Sequence, residues 1–470
     1  MTPVLAELLV TALTGSNVRV AAPDGAAWRS REILALARRT ADALRAHGVH
    51  PAEPLHVIIG NRPEDLGVLL GVWLAGAVAV PVHQAAPVAT LSSLQSVTQA
   101  RFAIDAGAVA TIAEDPPATR DVLTDAALVL FTSGSTGLPK AVVVGHAPLA
   151  GKLAVLGRLL NLRPDDVVIV PLQLTFIFGI WVSLLALLAG ARIRLVPRFS
   201  PEVVVNELAR GATVLAAVPS MLRMLMWVRA TAAPGLRAIL AGGEPLGTAL
   251  PSAVGAAWPG AGIFDLYGLT ETGSCDFCLT PADLAHGIGT IGFPTEQVAF
   301  RVAAESGAAV DAGCSGELQI RTPFGMLGYL DQPDLTEAAF RDGFFRTGDL
   351  ARKRADGRVE IVGRMKEIIS RGGNKIAPVE IENLFGNHPD VIGALCTGVP
   401  DERLGEAVHV MLVPRPGAVL HADGLRRWAA ERIERYKLPD GIHLAQKLPV
   451  GLTGKADRAA LARMIVEGVC

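Results

Sequence analysis

Short apolar runs at residues 55–59, 167–170, 192–196, 213–218, 238–241 and 262–266 alternate with longer segments of helical apolar spacing over much of the first 350 residues. Strand-length runs separated by helices need crossover connections, and these produce parallel strands covered by helices. The expected fold class is α/β. A large N-terminal domain of layered α/β sheets is followed by a small β-rich subdomain and then a smaller α+β C-terminal domain. The change comes after residue 287, where short strands at 298–302 and 316–320 are spaced by Gly, Pro and Asp turns. From residue 366 a compact module mixes strands with charged helices. The expected domains are residues 1–364 and 365–470.

Composition narrows the function. Half of the residues are hydrophobic and the net charge is -2, so large cores are possible and no nucleic-acid surface is expected. Five cysteines in 470 residues argue against a disulfide framework and for a reducing, cytoplasmic setting. Cys275 and Cys278 form a C-x-x-C, but no second pair stands at zinc-site spacing. Glu7 and the lack of a basic n-region argue against a signal peptide. Residues 167–191 carry no charge and could span a bilayer by length. Pro171, Gln173, Thr175 and Gly179 interrupt them, so the run is read as buried core, as is residues 66–80.

The chemistry starts at Phe131-Thr132-Ser133-Gly134-Ser135-Thr136-Gly137-Leu138-Pro139-Lys140. Glycines let a backbone approach a phosphate chain closely. Hydroxyls and bare N–H groups donate to its oxygens, and a lysine adds charge. A Walker A loop would end in Gly-Lys-Ser/Thr and open into a helix. Here the loop follows the apolar residues 127–131 and precedes the β-branched residues 141–144, so it joins two strands, with a helix from about Pro148.

This string resembles the phosphate-binding signature of the adenylate-forming superfamily, which includes acyl-CoA synthetases, peptide-synthetase adenylation domains and luciferases. Four further motifs resemble that family's in the same order. They are Tyr267-Gly268-Leu269-Thr270-Glu271, Arg346-Thr347-Gly348-Asp349, Gly363-Arg364-Met365-Lys366 with Gly373-Asn374-Lys375-Ile376-Ala377-Pro378, and Pro449 through Gly454-Lys455 to Arg458.

The resemblance implies ATP, Mg²⁺ and CoA as reaction partners and assigns roles. Thr132, Ser133, Gly134, Ser135, Thr136, Gly137 and Lys140 would hold phosphates. Gly242, Gly243 and Glu244 would lie along the adenine, and Tyr267 would offer it a flat face. Thr270 would reach the α-phosphate and Glu271 would ligate Mg²⁺ through a hard oxygen. Asp349 and Arg364 would hold the ribose, the aspartate by two acceptor oxygens. Lys366 would be the hinge of a mobile C-terminal domain, Gly373 would leave room for a pantetheine arm, and Lys455 would be the catalytic cation. Phe176, Gly179 and Ala241 would line the acyl pocket.

The chain also departs from the family pattern. The stretch between Pro81 and Thr132 is short, and Phe176 stands where many members carry His. No acid lies between residues 167 and 191. An α-amino substrate would then bury an unpaired ammonium, at high cost. The expected activity is ATP-dependent ligation of a carboxylic acid, fatty or aryl, to CoA. Transfer to a carrier-protein pantetheine is the alternative, and a non-catalytic acyl- or nucleotide-binding protein is a distant one.

Overall fold

A computed structural model describes residues 3–115, 117–132, 140–228, 233–449 and 456–468. Ser133, Gly134, Ser135, Thr136, Gly137 and Lys455 lie outside the described residues.

The alternating runs form two sheets. The larger has nine strands, with six parallel strands at its centre. In spatial order these are Gly262–Tyr267, Ala238–Gly242, Val214–Ala217, Val167–Val170, Arg192–Leu195 and Arg19–Ala21. Val167–Val170 has the next strand of the chain, Arg192–Leu195, on one side and Val214–Ala217 on the other. It is therefore the point where the winding reverses. In open α/β sheets, ligands bind beyond the carboxyl ends of the strands near such a point.

The second sheet has seven strands and contains Ala126–Thr132 beside Lys140–Gly145. These two run antiparallel with Thr132 opposite Lys140, so the candidate phosphate loop joins two strands, as its flanks imply. The helix that follows begins at His146, two residues earlier than its sequence pattern indicates.

The charge-free run is core. Val167–Val170 is fully buried, and helix Ile177–Leu188 packs against the N-terminal helix Val4–Thr14. Among the described residues no helix is long and apolar enough to cross a membrane. Residues 66–80 fall in helix Pro63–Leu74 and the start of strand Val78–His83, both buried.

Asn61 ties the two sheets together. It is fully buried and follows strand Pro54–Ile59 of the second sheet. Its Nδ2 donates to the carbonyls of Leu172 (2.7 Å) and Val196 (3.3 Å), both just past strands of the larger sheet. Its Oδ1 accepts from the N–H of Leu174 at 2.8 Å. Asn61 has φ 56°, a left-handed conformation that asparagine tolerates better than most residues.

Beyond these sheets stands an antiparallel sheet of Ala299–Ala303, Ser315–Arg321, Phe344–Lys353, Phe340–Arg341 and Val359–Arg364. It is the β-rich element expected after residue 287. The C-terminal residues form a further sheet, in which Val391–Asp401 pairs with Gly405–Pro414, flanked by helices such as Pro378–Gly386.

Candidate active site

The site collects where strand ends meet. Ala241 and Gly242 close one central strand and Tyr267 closes its neighbour, in the register Ala241 opposite Asp265 and Gly242 opposite Leu266. Phe176 caps helix Ile177–Leu188, just beyond Val167–Val170. Residues separated by up to 91 positions thus share the carboxyl edge of one sheet.

Tyr267 and Asp349 are in contact. The phenol donates to Asp349 Oδ2, and Arg364 Nε lies 2.7 Å from Asp349 Oδ1. Asp349 and Arg364 are cross-strand partners, and Arg364 Nη1 also donates to the Thr347 carbonyl at 3.1 Å. Burial raises the Asp349 carboxyl above its usual range while Arg364 opposes the rise. Each carboxylate oxygen has two lone pairs, so Asp349 can still accept from a pair of hydroxyls. Lys366 follows in the short turn Met365–Glu367.

Thr270 and Glu271 sit on a 3₁₀ turn, Thr270–Thr272. Tyr329 donates its hydroxyl to Glu271 Oε1 at 3.2 Å. Tyr329 also pairs with Val142 on the strand that leaves the phosphate loop, and Lys140 Nζ stands 5.0 Å from the centre of its ring. One tyrosine thus contacts the loop's lysine and the candidate metal ligand. A carboxylate held from one side by a neutral donor, its second oxygen without a partner among the described residues, suits a hard divalent cation.

Three sequence-assigned residues also have local structural roles. The Glu244 carboxylate accepts from Ser220, 3.0 Å from its N–H and 3.2 Å from its hydroxyl, and so organises the start of helix Pro219–Trp227. A Cβ on Gly179 would come within 2.4 Å of the Gln173 carbonyl, so this glycine serves a close backbone approach. Gly373 and Gly372 form the two-residue turn between Ile369–Arg371 and Asn374–Ile376, with φ 83° and 54°. Such a hairpin turn needs positive φ at both positions.

Two further residues, Phe178 and Asp265, stand beside those assigned from the sequence. Phe178 stacks on buried Trp181 with ring centroids 5.2 Å apart, and its edge lies against Gly242. Helical spacing of i and i+3 was the available signal. Asp265 is buried two residues before Tyr267, hence on the same strand face, and burial raises its carboxyl to about 7. The alternation along residues 262–267 could have revealed it.

A family profile described as AMP-binding enzyme matches residues 12–330, and one described as AMP-binding enzyme C-terminal domain matches residues 380–455. The chain belongs to the AMP-binding enzyme family. This AMP-binding enzyme is an AMP-forming ligase of the acyl-CoA synthetase type. It is 30% identical to a feruloyl-CoA synthase from Amycolatopsis sp over 93% of this chain and 94% of that one. It is 30% identical to the fatty acid–[acyl-carrier-protein] ligase ScoC of Streptomyces coeruleorubidus, over 90% and 89%. ATP-bound MatB from Rhodopseudomonas palustris shares the fold, with TM-score 0.86 and 24% identity over 98% of both chains.

Proposed function

We propose that this AMP-binding enzyme activates an apolar carboxylic acid, fatty or aryl, and transfers the acyl group to CoA. The observation that carries this reading is the wall around Phe176. Phe178 stacks on Trp181 against Gly242, and residues 167–191 hold no charge with which to pair a polar acid. A flat apolar wall favours a ring or a hydrocarbon tail. The feruloyl-CoA synthase likeness supports an aryl acid.

In this reading the ATP phosphates lie along residues 132–137 beside Lys140. The adenine rests on Tyr267 and the turn Gly242–Gly243, and Asp349 with Arg364 holds the ribose. Glu271 would hold Mg²⁺, which when bound offsets charge on the phosphates. A carboxylate oxygen of the acid attacks the α-phosphorus, the Pα–O bond to the β-phosphate breaks, and pyrophosphate leaves. Thr270 and Lys455 stabilise the charge developing on the α-phosphate. The C-terminal domain, residues 365–470, then turns about Lys366, withdrawing Lys455 and presenting the Gly373 turn. A thiolate sulfur attacks the acyl carbon and AMP departs. We place the enzyme in the cytoplasm, in accord with free thiols at Cys275, Cys278, Cys314 and Cys396.

A carrier-protein pantetheine is the second acceptor to test, because ScoC is similar over nearly the whole chain. Acid-dependent pyrophosphate release measured across carboxylic acids, alone, with CoA and with holo carrier protein, decides between them. Thioester formed only with carrier protein would sink the CoA reading. Lys455→Ala should abolish adenylate formation but spare thioester formation from supplied acyl-adenylate. Adenylate made by that variant at the normal rate would remove Lys455 from catalysis.

A further inference from the structure

A buried ion pair stands behind the Thr270–Glu271 turn. Lys152 Nζ lies 3.2 Å from Asp276 Oδ1, and both side chains are fully excluded from solvent. The same ammonium donates to the Cys275 carbonyl at 3.2 Å and stands 5.2 Å from the Phe324 ring. The other carboxylate oxygen, Asp276 Oδ2, accepts from the Thr272 hydroxyl, at the end of the turn that carries Thr270 and Glu271.

The backbone between these groups is unusual. Gly273, Ser274 and Cys275 have φ of 83°, 65° and 50°, three left-handed residues in succession. Only the first is a glycine. Each of the others carries a conformational cost that the surroundings must offset. The Lys152 ammonium meets the last of them at its carbonyl, and the Ser274 N–H donates to the Leu269 carbonyl at 2.8 Å. The reversal brings Asp276 back to the strand, where its N–H donates to the Tyr267 carbonyl at 2.7 Å. Phe324, over which Lys152 sits, leads into Met326, whose N–H donates to the Glu271 carbonyl at 2.8 Å.

A buried ion pair is a poor route to stability, since desolvating two charges costs several kcal/mol and apolar replacements often serve as well. Its location against a strained turn points to orientation instead. We propose that Lys152 and Asp276 are positioning residues for adenylation, holding the Thr270–Glu271 turn at the geometry its task requires. This rests on the roles given above to Thr270 and Glu271. Lys152 lies on helix His146–Leu160, which directly follows strand Lys140–Gly145. The pair thus sets the turn relative to the strand leaving the phosphate loop.

The test uses the full chain and two variants. Lys152→Met/Asp276→Leu removes both charges together and so leaves neither unpaired. Asp276→Asn keeps the shape and an acceptor for Thr272. Acid-dependent ATP–pyrophosphate exchange should fall about 10-fold or more in kcat, and the Mg²⁺ needed for half-saturation should rise severalfold. Thioester formation from supplied acyl-adenylate should stay within about 2-fold, which general misfolding would not spare. Wild-type exchange and Mg²⁺ response in both variants would overturn the proposal, as would equal loss in both half-reactions. Failure of the wild type itself to exchange would instead overturn the roles of Thr270 and Glu271 on which the proposal rests.

Discussion

The Tyr329 hydroxyl donates to Glu271 Oε1 across 3.2 Å, although 58 positions separate the two residues. The same ring lies under Lys140 Nζ. Tyr329→Phe keeps the ring and its cation contact but removes the donor. A hydrogen bond to a charged group contributes about 1.5–3 kcal/mol. The variant should fold normally and need about 10- to 100-fold more Mg²⁺ for half-maximal adenylate formation. An unchanged Mg²⁺ titration would show that Glu271 does not depend on this donor.

Asp349 accepts from Tyr267 and pairs with Arg364 at 2.7 Å. Asp349→Asn replaces one acceptor oxygen by a donor. The KM for ATP should rise about 10- to 100-fold, from losing one charge-assisted hydrogen bond. Initial rates with ATP varied at saturating acid check this; equal KM values would take Asp349 out of nucleotide binding.

Asp265 carries a testable pH dependence. Burial raises its carboxyl from 3.8 to about 7. Between those values the folded chain keeps a proton that the unfolded chain has released. Its contribution therefore lowers stability as pH rises from about 4 to 7, and the loss persists above 7. Asp265→Asn should remove this component and gain about 4 kcal/mol at pH 8 relative to the wild type. Urea denaturation of both proteins at pH 5 and pH 8 measures the difference. A parallel pH response in the two would show that Asp265 does not cause it.

Asn61 makes three hydrogen bonds in a site with no solvent. Asn61→Ala leaves two carbonyls and one N–H without these partners. The expected loss is about 2–4 kcal/mol in chemical denaturation. Because Leu174 leads into Phe176 and Phe178, the variant should also discriminate less between acids of different size. A variant as stable and as selective as the wild type would mean that the two sheets hold their relation without this link.

Much of the candidate site could be read before any fold was known, because its signals are local. The loop at residues 131–140 announced a strand-to-strand connection through the β-branched residues on either side, and the register of Thr132 with Lys140 bears that out. The uncharged residues 167–191 were legible as core for a similar reason, since Pro171 and Gly179 break the run into a strand and a helix. Glu244 and Gly179 were harder. The contacts of Glu244 with Ser220 and of Gly179 with the Gln173 carbonyl depend on how the chain folds back on itself, and no local pattern marks them.

From the sequence alone came the order of motifs, the α/β class and the residue types able to handle a nucleotide. These depend on chemistry within a few positions along the chain, where backbone geometry restricts the outcomes. The tertiary structure decided the partners: Tyr329 with Glu271, Asn61 with Leu172 and Leu174, Lys152 with Asp276. The last pair is 124 positions apart, and nothing local to either residue marks it. Only the packing that brings distant segments together removes both charges from water and makes each the other's compensation.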